Sequence, residues 1–212
     1  TGNTTTISGN NNIQITSTTL TGAGTSNGIN NSGATSIISN NNTIQLNISA
    51  YTSTTIQGIT NSVTSTLIEN NNNMNLQLSL VGNGIINAIN NSGATTTINS
   101  NLNITANCNS TINASRIYAI NNTGATTSIT NNTGISITTN SVSGSTNNRG
   151  ITSTVSTTIS GNTITSQATA GATCATFGVF GIGTITNNVV TASATAQLGI
   201  ANSAGIFSDG FS

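Results

Sequence analysis

Four side chains in this sequence carry a full charge: Glu69, Arg116, Arg149 and Asp209. Two carboxylates are the smallest set able to run paired acid–base chemistry, such as glycoside hydrolysis, and here they lie 140 positions apart. Histidine is absent, so a serine or cysteine nucleophile has no ordinary general base and a transition metal lacks its commonest ligand. Two arginines without any lysine cannot make the basic surface that a phosphate backbone requires, so nucleic acid is not an expected partner. No apolar run has the length of a membrane span, and the first residues do not read as a signal peptide. If the protein is secreted, the sequence is a processed form or part of something larger. No catalytic residue, cofactor site or metal site is expected, and the chain reads as a non-enzyme.

The elements that would position any site follow from the rest of the composition. Charged residues make up 2% of the 212 positions, where ordinary domains have about 25%. Disordered chains of small polar residues are usually poor in β-branched side chains and carry net charge. This chain is rich in Ile, Val and Thr, has no Pro or Trp, and has a formal net charge of zero. Thr and Ile favour pleated strands, and Asn and Gly favour the turns between them. An ordered all-β chain is expected.

Internal repeats set the architecture. Gly28-Ile29-Asn30-Asn31-Ser32-Gly33-Ala34-Thr35 returns at Gly58-Ile59, Ala88-Ile89, Ala119-Ile120 and Gly150-Ile151, each step the same length to within one position. Gly181-Ile182 and Gly199-Ile200 read as drifting further copies. A second column, Ile7, Ile38, Ile68, Ile98, Ile129, Ile159 and Ile185, keeps the same period until its last step, from Ile159 to Ile185, which is several positions shorter. Each repeat reads as three short strands. The first is centred on this column and is followed by Asn-rich turns (Asn10–Asn12, Asn40–Asn42, Asn70–Asn73, Asn131–Asn132). The second alternates apolar and polar residues, as in Ile44-Gln45-Leu46-Asn47-Ile48, with Val189 in the last copy. The third approaches the Gly/Ala-Ile anchor. No segment between strands has helical length or periodicity.

Three strands per repeat of about 30 residues predict a parallel β-helix of about seven coils, a single β-solenoid domain over residues 1–212. Hexapeptide left-handed helices have shorter, regular rungs, so the right-handed form is expected. Equivalent residues then stack: Ile7 to Ile185 form one core ladder, Ile29, Ile59, Ile89, Ile120 and Ile151 a second, and the Asn columns hydrogen-bond along the axis. At roughly 4.8 Å per rung the rod would be about 34 Å long.

The Gly-Ile-Asn-Asn-Ser-Gly-Ala-Thr units resemble right-handed β-helical passenger segments of bacterial autotransporters and filamentous-haemagglutinin-like adhesins, over roughly residues 4 to 185. The resemblance implies a secreted, surface-displayed protein that works in adhesion or assembly. It carries over no functional residue. The Gly-Gly-Ala-Ile signature of chlamydial polymorphic membrane proteins and the Asp-bearing nonapeptide of calcium-binding solenoids are both missing.

No cap is legible at either end, so the expected partners are a second copy stacked end to end or the continuation of a longer solenoid. All four phenylalanines, Phe177, Phe180, Phe207 and Phe211, fall in the shortened terminal coils of residues 175–212. They read first as a wider local core or plug, and otherwise as a candidate assembly interface. Cys108 and Cys174 fall two coils apart, about 9–10 Å within one column, too far for a disulfide, so buried free thiols are expected. Asn-x-Ser/Thr sequons such as Asn41 and Asn131 arise from composition alone. The function expected is a structural subunit of an extracellular fibre or adhesin stalk. The alternative is a module presenting Thr/Asn ladders to glycans, a host-surface receptor or ice.

Overall fold

The computed structural model describes residues 5–208 apart from 21, 34, 35, 65 and 113. Thr4, Asp209 and Phe211 lie outside the described residues. Parallel strands follow one another around a narrow core, three to a coil. The first coil holds β1 (Thr5–Ser8), β2 (Ile13–Leu20) and β3 (Gly24–Asn31); the second β4 (Ser36–Ser39), β5 (Asn42–Ala50) and β6 (Thr54–Asn61). Next come β7 (Thr66–Glu69), β8 (Asn72–Leu80) and β9 (Gly84–Asn91), then β10 (Thr95–Asn99), β11 (Leu102–Ser110) and β12 (Ser115–Asn122). β13 (Thr126–Thr130) and β14 (Ile135–Ser141) precede β15 (Thr146–Ser160), which runs from the third column into the first column of the next coil. β16 (Thr163–Ala170), β17 (Cys174–Thr186), β18 (Val189–Ala196) and β19 (Ala201–Ser208) complete about six turns. The second column is a sheet of seven strands, and the first and third are joined into one sheet through β15 and β17.

The core columns stay in register from coil to coil, with shifts among the described residues only between Ser17 and Leu20 and between Ser153 and Ser156. Ile7, Ile38, Ile68, Ile98, Ile129, Ile159 and Ile185 stack one on the next in the first column. Ile29, Ile59, Ile89, Ile120 and Ile151 do so in the third. Beyond Ile151 this ladder corrects the sequence reading: it passes to Val179 and Ile206 rather than to Ile182 and Ile200. Ile182 pairs with Ser156 on the first column, and Ile200 is exposed ahead of β19. The cause is the length of the last two coils. The steps from Ile151 to Val179 and from Val179 to Ile206 each fall a few positions short of the period, which displaces the anchor. Likewise Val190, not the exposed Val189, stacks on Ile164.

The Gly/Ala before each third-column Ile has a local cause. Both it and the Ile are buried, so two consecutive residues face inward and the strand bends there. The outer side chains flanking the bend are thereby brought together: Thr60 Oγ1 donates to Gln57 Oε1 at 2.7 Å. At the next turn a β-carbon on Gly124 would run into the carbonyl oxygen of Gly93 stacked beneath it, so only glycine fits.

Each of the seven passages from the first column to the second opens on a residue at positive φ, 52–69°: Gly9, Asn40, Asn70, Ser100, Asn131, Gly161 and Asn187. The residue after it is always asparagine. Asn10, Asn41, Asn71, Asn101, Asn132, Asn162 and Asn188 form a ladder in which each Nδ2 donates to the next Oδ1 at 2.8–3.0 Å. From Asn41 onward each Nδ2 also donates back to a first-column carbonyl, as Asn71 does to Ile38 O. The five from Asn41 to Asn162 are fully buried. The sequon at Asn41 is thus occupied by the fold. A shorter ladder, Asn31, Asn61, Asn91 and Asn122, ends on Ser153 Oγ.

The interior tapers. One second-column position reads Ser17, Ile48, Leu78, Cys108, Thr139, Ala168, Ala194, and one third-column position reads Ser26, Ile56, Ile86, Ile117, Asn148, Thr176, Ser203. Large apolar side chains fill the middle coils, and small or hydroxylic ones the later coils. Those polar groups pair across the core: Thr139 donates to Asn148 Oδ1 at 2.5 Å, Asn148 to the Gln167 carbonyl at 2.6 Å, and Ser166 meets Thr176 at 2.5 Å. A buried polar group that is fully bonded costs little, so the shortened coils remain compatible with a dry interior.

Candidate binding groove on the third column

The bend in each third-column strand draws together the outer side chains on its two sides, as Thr60 and Gln57 show. Two outer ladders flank it. One runs Asn27, Gln57, Asn87, Tyr118, Arg149, Phe177, Ala204, and the other Asn30, Thr60, Asn90, Asn121, Thr152, Phe180, Phe207. Stacking therefore gathers four of the chain's six aromatic residues beside Arg149. Its guanidinium lies 3.7 Å from the Phe180 ring centre and 5.9 Å from those of Tyr118 and Phe177. Phe180 and Phe207 stack with centres 5.0 Å apart, and Phe177 meets both edge-on at 5.5 and 5.7 Å. Such cation–ring and ring–ring contacts favour a fixed cluster over a loose surface.

Phe177, Phe180 and Phe207 therefore do not widen the core or plug it, which corrects the first sequence reading for these three. Val179 and Cys174 face inward in their coil. Phe207 is 42% exposed and stands on the outside, where the alternative reading, an assembly interface, would need it.

Burial holds the Arg149 pKa below the ordinary arginine value, with Tyr118 opposing the shift and Arg116 adding to it. It remains a cation, and its Nε has no protein partner. Arg116 is exposed one coil earlier, paired in register with Asn147 and two positions before Tyr118. Alongside it three hollows adjoin along the axis. One of about 540 Å³ between Ala23–Thr25 and Ser53–Thr55 shares Asn83 and Ile85 with a second of about 380 Å³. The second shares Ala114 and Arg116 with a third of about 250 Å³ that reaches Thr173 and Ala175. Together they form one groove beside the Arg149 cluster.

Unpartnered buried polar atoms concentrate on this column. They include Asn27 Oδ1, Asn87 Oδ1, Asn147 Oδ1, Arg149 Nε and Thr152 Oγ1, although the Asn ladders of the same molecule are fully bonded. Asn87 and Thr152 are 6% and 3% exposed.

The other candidate chemistry does not converge. Glu69 ends β7 on the first column, away from both arginines, which stand on the third. Cys108 and Cys174 are free, buried thiols in different columns. Burial raises the Cys108 pKa to about 11, against a smaller opposing effect of Ser115. Among the described residues no three His, Cys, Asp or Glu gather as metal ligands, and no helix is long and apolar enough to cross a membrane. The outside of the second column is a parallel sheet of Gln, Asn, Ser and Thr, for example Thr105, Asn107 and Asn109 above Asn75, Gln77 and Ser79.

Searches against models of known families, curated proteins and solved structures find no match for this chain. The fold itself defines the class, a parallel β-solenoid with asparagine ladders.

Proposed function

We propose that the chain is a non-catalytic structural segment of an extracellular fibre or adhesin stalk, built by axial stacking of β-helical coils. One observation carries this reading: the ladders run through every coil to edge strands that, among the described residues, are paired on one side only, β1, β2 and β3 at one end and β18 and β19 at the other. The inward residues of the two edges match in type, Ile7, Ile13 and Ile15 against Ile185, Val190 and Ala192. An open strand edge is a template for further pairing, and apolar residues half-covered at both edges favour it. The near-absence of ionisable side chains supports a structural task over catalysis. The surface location follows from the resemblance of the turn motif to autotransporter and haemagglutinin-like passengers.

Electron microscopy and sedimentation over a concentration series test this. Rods that lengthen by whole multiples are expected, and strictly monodisperse short rods at every concentration would overturn it. A second reading, a binding module for glycans, draws support from the third-column groove. Ice binding has weaker support, because the flat second-column face mixes Gln, Asn, Ser and Thr; absence of thermal hysteresis would remove it.

A further inference from the structure

We infer that the groove on the third column is a binding site for an acidic glycan, an extended sugar chain carrying carboxylates. This rests on the binding-module reading and specifies its ligand. The groove runs along the rod axis past six coils, a shape that suits a linear chain rather than a compact molecule. Its walls mix Asn83, Thr25, Thr55, Asn147 and Arg116, which can exchange hydrogen bonds with hydroxyls, with Ile85 and alanines that suit the C–H faces of sugar rings. In the cluster beside the groove, Tyr118, Phe177 and Phe207 add ring faces and edges of the kind that pack on the C–H face of a sugar.

Charge selects among sugar chains. Both cations of the molecule, Arg116 and Arg149, stand beside this groove, whereas Glu69 lies on another column. Arg149 is fixed by three rings beside the groove, and a planar guanidinium is the side chain best suited to pairing with a carboxylate. Two cations in a neutral wall suit one carboxylate at intervals, not the dense charge of a nucleic acid. An extended peptide would need a free strand edge to pair with, and β6, β9, β12 and β15 are hydrogen-bonded on both sides.

The test is calorimetric titration of the whole chain with hexamers of galacturonate, mannuronate and guluronate, each beside its fully methyl-esterified neutral form. At least one acidic hexamer should bind roughly ten-fold or more tightly than its ester, and higher salt should weaken it. Arg149→Gln should weaken that hexamer about ten-fold and leave the ester unchanged. Should Arg149→Gln disturb the fold, as read by circular dichroism, the exposed Arg116→Gln provides the same comparison. Equal affinity for acid and ester, or affinity untouched by both substitutions, would overturn acid recognition while leaving a neutral-glycan module standing. No binding to any hexamer would overturn the site and the module reading together, without touching the stalk reading.

Discussion

The side chain of Asn71 reaches Asn101 in the next coil, its Nδ2 donating to Oδ1 at 2.9 Å, with both residues wholly excluded from solvent. Asn101 in turn donates to Asn132 Oδ1 and back to the Ile68 carbonyl, and its Oδ1 also accepts the Asn71 backbone N–H. Replacing Asn101 by Leu strands several buried groups at once, each costing about 1–3 kcal/mol. We expect a loss of about 3–5 kcal/mol in urea unfolding. Asn10→Leu, at the exposed end of the same ladder, should cost under about 1 kcal/mol. Equal effects at the two positions would mean that the ladder does not act as a buried unit.

Core isoleucines should show the same gradient. Ile98 is fully buried between Ile68 and Ile129, so Ile98→Ala is expected to cost about 2–5 kcal/mol. Ile7 is half-buried with Ile38 on one side only, and Ile7→Ala should cost clearly less in the same denaturant experiment. Ile98→Lys buries an unpaired charge and should leave no cooperative transition.

Thr43 holds φ at 66°, a conformation that β-branched residues rarely adopt, where the two following coils have Asn73 and Asn103. Thr43→Asn should raise stability by about 0.5–1 kcal/mol, read as a higher melting temperature. A destabilised variant would show that the Thr43 side chain makes up for the strain.

Alkali should weaken the fold through Cys108. Its thiol ionises near pH 11 when folded and near 9 when exposed, so the folded state holds a proton that the unfolded chain has lost between these values. Stability is therefore full below about pH 9 and falls as the pH rises toward 11. Cys108→Ala should flatten that alkaline slope in melts recorded from about pH 8 to 11. With no histidine in the chain, little change is expected between about pH 6 and 8. A thiol reagent should find two sulfhydryls under denaturant and far slower reaction in the native protein.

The repeat period and the ladders were legible in the sequence because a solenoid writes its contacts at a fixed separation. Ile98 meets Ile68 and Ile129 simply because one coil of chain lies between them. The asparagine ladder was legible as a column, but the separate duty of Asn70 as the turn and Asn71 as the rung comes only from φ and burial. The groove was hidden by the shortened coils. Arg149 and Phe177 are paired in register, yet the chain between them falls short of the period, so a fixed repeat sets them on different rungs. The same shortening misplaced the anchor at Ile182 and Ile200. Applying the short last step at Ile185 back along the final coils was the available signal, and Phe177, Phe180 and Phe207 would then have fallen on the outer face.

The asparagine ladder also determines how such a rod would fail under load. A pull on the chain from either end removes one rung at a time, and each rung gives up the same set of bonds: its backbone pairs, one amide to the next asparagine and one to a carbonyl behind it. Lengthening would then come in steps of about 100 Å, one coil of roughly 30 extended residues each, and slightly less for the shortened last coils. The alanine- and hydroxyl-lined coils near β18 and β19 would yield first, and the Ile- and Leu-filled coils around Met74 would hold longest. Mechanically the molecule is a ratcheted tape, strongest in its middle coils and weaker toward both ends.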